Sequence, residues 1–392
     1  MIFRLIIITL LCLPSVAQAQ TCQGVSDRIV DGQKWIINAQ RDNGLFTYEY
    51  RPLEDRFTNE DNMVRQTGTF WVLIESLKYH RDDAVLATIE KFRKKISSMI
   101  IRSKAGDDDI AYIEFNGFGK INTSALYILS LLSLEEHGLE LTEQEKKDMD
   151  LVITGMRKMS DEEGGFWYLY YLPKEHNIIT SYGSGEALFA LAKYYDKRND
   201  MAGLEWTYKE FMKYFDRFLK NEDDFQVTEA RAFFSWGIYA LSIINQKFPI
   251  DYNKTVKHMV DMAFNKRKTN PLCKDRGCFL LPNLGDATFF EGIVQAYKLS
   301  LIYEKDPKEI QKLRDYLELA LADYKDLQII DIYKFRYEYR FEGRAKNVLG
   351  AFCWDKRCTQ IRNDLTQHAV SAFIYYSEEF CKAPEKEENK AD

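Results

Sequence analysis

No proline- or glycine-rich stretch divides this chain: 8 prolines and 20 glycines are spread through 392 residues. Without such a boundary, residues 20–381 are expected to fold as one domain, and a composition of 46% hydrophobic and 29% charged residues can fill a large core. An excess of positive charge is also missing. With 54 basic against 60 acidic residues the formal net charge is −6, which provides no electrostatic footprint for nucleic acid or anionic lipid. Beyond the N-terminus no run reaches the roughly 18 apolar residues of a membrane-spanning helix, so no stable membrane insertion is expected. Several motifs are absent as well: a P-loop, a GxSxG elbow, an HExxH pair and a magnesium-holding run of aspartates.

The first residues, MIFRLIIITLLCLPSVAQAQ, join one arginine to a short apolar run and the small pair Ala17 and Ala19. This is the pattern of a secretory signal over residues 1–19, cut after Ala19, and it implies a periplasmic or secreted protein. Ala19-Gln20-Thr21 does not make a lipoprotein box before Cys22. Loss of Cys12 with the signal leaves Cys22, Cys273, Cys278, Cys353, Cys358 and Cys381. An even number in an exported chain suggests disulfides: two local pairs, CKDRGC and CWDKRC, and Cys22 with Cys381 joining the ends. A zinc site is the competing reading. Four residues intervene in each local pair and no histidine lies near Cys273 or Cys278, so neither a metal nor any other cofactor is expected.

Six segments share one grammar, a turn followed by a helix rich in small and apolar residues. They are NMVRQTGTFWVLIESL from Asn62, NTSALYILSLLSL from Asn122, SYGSGEALFALAKYY from Ser181, EARAFFSWGIYALSI from Glu229, DATFFEGIVQAYKLSLIY from Asp286 and RNDLTQHAVSAFIYY from Arg362. Apolar residues on more than one face imply burial on both sides. Between them lie helices with a single apolar stripe, such as Ile89, Phe92, Ile96 and Met99, or Met149, Val152, Met156 and Met159. Others of this kind begin near Ser26, Asn253 and Lys308, and one carries Phe211, Phe215 and Phe218. Six buried and six amphipathic helices in alternation, with no long strand-turn-strand pattern, predict an all-α (α/α)6 toroid. The pieces NGLFTYEY, EGGFWYLYYL, RGCFLLPN and GAFCWDKRC read as loops or short β segments on one rim, and LQIIDIYKFRYEYRFEG from Leu327 as a hairpin or long rim loop. The charged tail over residues 382–392 is expected to be disordered.

On this alternation, the aromatic turn NGLFTYEY, RQTGTFW and GSGEALFALAKYY, the chain resembles the six-hairpin glycosidases and the helical domain of uronyl C5-epimerases. The resemblance covers most of the mature chain at superfamily level. It implies a carbohydrate-active barrel with a glycan substrate and a cleft at one rim, and it assigns no catalytic residue.

In such a toroid the inner helices run the same way, so their N-terminal ends share a rim and favour negative charge there. Glu186 is expected in one such first turn. Asp61 and Arg65 on the first inner helix, Tyr182 on the third, Glu229 and Arg231 on the fourth, Asp286 and Glu291 on the fifth, and Arg362, Asp364, Gln367 and His368 on the sixth are expected beside it. Each has a plainer reading: Asp61, Asp286 and Asp364 as helix caps, Glu186 and Glu229 as partners of the dipole or of an arginine, Arg65 and Arg231 as braces, His368 as a core histidine. Tyr48, Tyr168 and Tyr182 are the tyrosines expected in the cleft wall. Hydrolysis asks for two carboxylates, for which Glu186 with Glu229 is the first choice and Glu291 and Asp364 the reserve. Elimination or epimerisation of a uronate asks for a tyrosine or histidine base and an arginine at the sugar carboxylate, which Tyr182, His368, Arg65 and Arg231 fit. A barrel that binds a glycan or a partner protein without catalysis would need only the aromatic groove.

Overall fold

The computed structural model describes residues 21–220, 224–268, 287–332 and 344–381, with the side chains of residues 224–230 and 265–268 outside that description. The expected inner helices are α2 (Met63–Glu75), α4 (Ile121–Glu136), α6 (Ser181–Lys197), α8 (Asp224–Ile244), α10 (Ala287–Tyr303) and α13 (Asn363–Phe380). Between them run α1 (residues 21–38), α3 (Asp83–Ser97), α5 (Glu143–Lys158), α7 (Met201–Phe218), α9 (His258–Lys268) and α11 (Pro307–Leu327). A single turn, α12 (Ala345–Val348), precedes the last inner helix. Each inner helix packs on the next, α2 on α4, α4 on α6, α6 on α8, α8 on α10, α10 on α13, and α13 closes the ring on α2. The toroid read from the sequence is the toroid observed.

Burial follows the two grammars. Every residue of α4 from Ile121 to Leu134 is buried, whereas α3 buries the stripe Val85, Ile89, Phe92 and Ile96 and leaves its lysines outside. The ring closes because small residues stand where inner helices meet. A Cβ on Gly185 of α6 would lie 2.7 Å from the Cβ of Trp236 on α8, and one on Gly292 of α10 would lie 2.6 Å from the ring of Phe234. The axis is not a channel. Trp71, Phe189, Trp236 and Tyr239, from α2, α6 and α8, pack together across it with ring centroids 4.9–6.1 Å apart. At the C-terminal ends of the inner helices, partly buried Glu75 accepts from Ser133 and faces Lys193 at 3.8 Å, and Lys193 also pairs with Glu136 at 2.8 Å.

Two small sheets sit on the rim. In the first, β1 (Glu49–Arg51) lies between β2 (Arg56–Phe57) and β6 (Ile361–Arg362), all antiparallel, and the Tyr48 carbonyl accepts from the Asn363 amide at 3.0 Å. The start of α13 is thereby fixed to the chain that leaves α1. The second is a hairpin, β3 (Ile100–Ala105) with β4 (Asp108–Phe115), extended by β5 (Phe118–Gly119). This hairpin corrects the expectation of no long strand-turn-strand pattern. It turns at Gly106-Asp107, with Gly106 at positive φ (64°), and the Asn116-Gly117 pair between Phe115 and Phe118, both residues at positive φ (52° and 79°), makes the two-residue turn from β4 to β5.

Two of the expected disulfides are present, Cys22–Cys381 and Cys353–Cys358. The third pair, Cys273 and Cys278, lies outside the described residues, as do Asp286, the signal at 1–19, the tail at 382–392 and most of the segment from Leu327 to residue 343. Among the described residues no helix is long and apolar enough to cross a membrane and no cluster of candidate metal ligands occurs.

The α6–α8 contact gives a stability test. In an open helix, Gly185→Ala would stabilise by about 1 kcal/mol through helix propensity. Here the new methyl meets the Trp236 Cβ, an atom that cannot swing away, and overpacking of a dense core costs about 1–3 kcal/mol. Gly185→Ala should therefore lower the urea midpoint rather than raise it.

Candidate active site

The N-terminal ends of the inner helices surround a cleft of about 400 Å³. Its wall takes Asn62 and Arg65 from the start of α2, Asn122 from α4, Glu186 from α6, Trp236 from α8, Thr288 from α10, and Asp364, Gln367 and His368 from α13. Rim loops add Tyr168, Thr180, Trp354 and Arg362. All six inner helices thus reach one cavity, as parallel packing about a common axis requires.

Glu186 lies in the second turn of α6 rather than the first, because the helix starts at Ser181 with Thr180 as its cap. It is therefore sunk one turn below the rim and is only 5% exposed. Burial raises its carboxyl to about 8, against the opposing pull of a 2.5 Å hydrogen bond from Asn122 and the charge of His368. At neutral pH this group is mainly a neutral acid.

Asp364 is in the opposite state. Although buried, it is bound by Arg362 through two hydrogen bonds and faces Arg65 Nε at 2.9 Å, and these partners hold it below the usual carboxylate range in spite of the desolvation. Neither Asp364 nor Asp61 is a cap, which corrects that expectation. Asn62 caps α2 with its side chain on the Val64 amide, and Asp364 lies inside α13. Asp61 is instead bound by Arg41, by Gln66 Nε2 at 2.7 Å and by the Asn62 amide at 2.9 Å.

His368 lines the cleft, with Nδ1 3.0 Å from Oε1 of Glu291. Gln367 Nε2 lies 3.3 Å from the same nitrogen. Glu291 has no exposed surface, does not line the cleft and takes a further contact from Tyr239 Oη at 3.5 Å. Burial acts to lower the ring, and the charge and hydrogen bond of Glu291 with the charge of Asp364 outweigh it, so His368 is raised above the ordinary imidazole value. With Nδ1 on the carboxylate, Nε2 is the nitrogen left for the cleft.

The remaining expected residues divide. Tyr168 and Tyr182 line the cleft, and Tyr182 is 51% exposed. Tyr48 does not line it: its buried ring lies under the guanidinium groups of Arg65 at 5.1 Å and Arg362 at 5.7 Å and braces them. Arg231 is exposed and outside the cavity wall, with its charge felt by Tyr182. Glu229 does not open α8, which begins at Asp224, and its side chain lies outside the described residues.

Six polar or aromatic wall residues were not among the expected site residues: Asn62, Asn122, Thr180, Trp236, Thr288 and Trp354. Asn122 carried a signal, a lone amide in the first turn of an otherwise apolar inner helix. Trp354 had another, an aromatic residue inside the CWDKRC loop that the Cys353–Cys358 bond closes.

No family model matches the chain, and no curated protein matches it in sequence. Solved structures do match in shape. An inactive variant of an α-1,6-mannanase from Salegentibacter sp. HEL1_6, in complex with α-1,6-mannotetrose, aligns over 90% of this chain and 99% of its own with a TM-score of 0.59 and 12% identity. The unsaturated glucuronyl hydrolase of Bacillus sp. GL1 aligns over 90% and 96% with a TM-score of 0.60 and 14% identity. The cellobiose 2-epimerase of Bacillus thermoamylovorans B4167 aligns over 88% and 95% with a TM-score of 0.59 and 11% identity. At these identities the likeness is one of fold alone: the chain has an (α/α)6 toroid, as these proteins do.

Proposed function

We propose that this protein is an exported enzyme that hydrolyses a glycan in the cleft at the N-terminal ends of its inner helices. The observation that carries the proposal is two carboxyl groups in opposite surroundings on the wall of a single open cavity, Glu186 buried against the Asn122 amide, which favours its protonated form, and Asp364 bound by Arg362 and facing Arg65, which favours its ionised form. Glycoside hydrolysis needs that difference, an acid to protonate the leaving oxygen and a carboxylate to meet positive charge at the sugar carbon or activate water. In this reading Glu186 donates the proton. Asp364, kept ionised by Arg362 and Arg65, stabilises the charge, and Trp354, Trp236 and Tyr168 offer ring faces to the sugar. Glu229 is the alternative second carboxylate. The α-1,6-mannanase, the glucuronyl hydrolase and the cellobiose epimerase of like fold all act on sugars by name, which supports a glycan as substrate. The two disulfides support an oxidising compartment.

A second reading, epimerisation or elimination at a uronate, rests on a different observation. Arg65 faces Asp364 through Nε, and nothing described accepts a hydrogen bond from its two terminal nitrogens, which leaves a planar fork for a sugar carboxylate. His368, held by Glu291, supplies the proton-transfer group there.

Purified protein incubated with neutral and uronate-containing polysaccharides, read for reducing ends and for the absorbance of unsaturated sugars, separates the readings. Glu186→Gln should lower the hydrolysis rate by about 10²–10⁴, the worth of a positioned general acid. The parent rate should fall as pH rises through about 8, where Glu186 loses its proton. Full activity in Glu186→Gln removes Glu186 from the mechanism, and loss in Glu229→Gln with none in Asp364→Asn moves the second role to Glu229. Glu291→Gln should bring the His368 ring, followed by NMR during a pH titration, from above its ordinary pKa to below it, since desolvation then acts with one fewer opposing charge. On a uronate substrate Arg65→Lys should raise KM at least several-fold more than on a neutral glycan, because an ammonium keeps the charge and loses the fork.

A further inference from the structure

The cleft has a neighbour. A cavity of about 240 Å³ lies against its wall, between the start of α2 and the hairpin that carries β5, and Asn62 lines both spaces. We infer that this side cavity is a second sugar-binding subsite, occupied by the adjoining residue of the glycan whose reacting bond lies in the cleft. The inference rests on the glycan reading of the cleft and deepens it: the substrate is an oligosaccharide or polymer, not a single sugar or a disaccharide.

Three observations carry it. Phe118 lines the side cavity and is 51% exposed, so its ring is open to a bound sugar. Tyr171, 43% exposed, has its ring 6.5 Å from that of Phe118, so the two form one aromatic ledge beside the cavity.

The ledge is also built and not loose. Phe118 follows the Asn116-Gly117 turn and pairs with Phe115, while the strip that carries Tyr171 is fixed to the same hairpin by the bridge of Lys120 with Leu169 and by the Tyr170 amide on the Gly119 carbonyl at 3.0 Å.

Lastly, the polar side of the cavity is continuous with the cleft. Lys120 lines the side cavity with its ammonium 5.5 Å from the centre of the Tyr168 ring, and Tyr168 lines the cleft. Asp61, fixed by Arg41 and Gln66, faces it as an acceptor for sugar hydroxyls. An apolar face opposite polar groups is the arrangement that a sugar ring matches, with C–H bonds on its faces and hydroxyls at its edge. Continuity with the cleft selects the occupant, because a chain threaded through the cleft past Asn62 enters this space next.

The test measures kcat/KM, or Kd by calorimetry in Glu186→Gln, for glucose-, mannose- and glucuronate-based oligosaccharides of two to six residues, with the parent protein and with Phe118→Ala and the Phe118→Ala, Tyr171→Ala pair. The parent should gain about tenfold at the chain length that first reaches the side cavity, the size of one aromatic contact. Phe118→Ala should lose that gain while keeping the parent value on the shorter substrates and the parent melting temperature, since Phe118 supports no core. A Phe118→Ala profile that matches the parent at every length, or that is lowered equally at every length, overturns the subsite and leaves the cleft reading standing. A parent that binds and turns over no oligosaccharide of any length overturns both.

Discussion

Six helices can close around one axis only if the residues where they meet are small enough for their backbones to approach. Gly185 against the Cβ of Trp236, Gly292 against Phe234 and Gly68 against the amide of Gln367 are the points where this protein meets that condition. The consequence is both geometric and electrostatic. Tight closure brings six N-terminal ends to one rim, and side chains in the first two turns become neighbours although more than 300 residues separate Asn62 from His368. It also excludes water from the second turn, and exclusion of water raises the Glu186 carboxyl, whereas His368 is raised by the carboxylates that closure brings against it.

The same burial has different outcomes at the three carboxylates because their partners differ. Glu186 has an amide, Asn122, as its hydrogen-bond partner and stays protonated. Asp364 has two guanidinium groups and stays ionised. Glu291, with no surface at all, shares its charge with the imidazole of His368. Desolvation penalises all three alike, and the specific neighbour decides which form prevails. Tyr48 takes part without facing the cleft, since its ring supports both arginines that hold Asp364.

The opposite end of the barrel shows that charge alone does not make a site. Lys193 pairs with Glu136 at 2.8 Å and faces Glu75 at 3.8 Å, and the three join the C-terminal ends of α2, α4 and α6 where the aromatic stack of Trp71, Phe189, Trp236 and Tyr239 has closed the axis. There the charges fix helix ends together. At the other rim the loops stand apart, the cavity stays open, and the hairpin adds a side wall with Phe118 at its tip.

The amino-acid sequence determined the twelve-helix alternation, because small-apolar inner helices and single-stripe outer helices differ in the period and width of their apolar faces. It also determined two of the cysteine pairings observed, Cys22–Cys381 and Cys353–Cys358, through parity and proximity. The Asn116-Gly117 turn is legible as well, although the helical pattern around it dominates. What only the tertiary structure decided is where each ionisable side chain faces and what it meets. A helix start five residues earlier than expected puts Glu229 in the second turn of α8 and not at its opening, and one turn separates a rim carboxylate from the buried Glu186. The partners that set protonation, Asn122 for Glu186, Arg362 for Asp364 and Glu291 for His368, come in two of these three cases from a different helix. Periodicity along one segment carries no information about the rotation and depth of its neighbour, and those are fixed only when the ring closes.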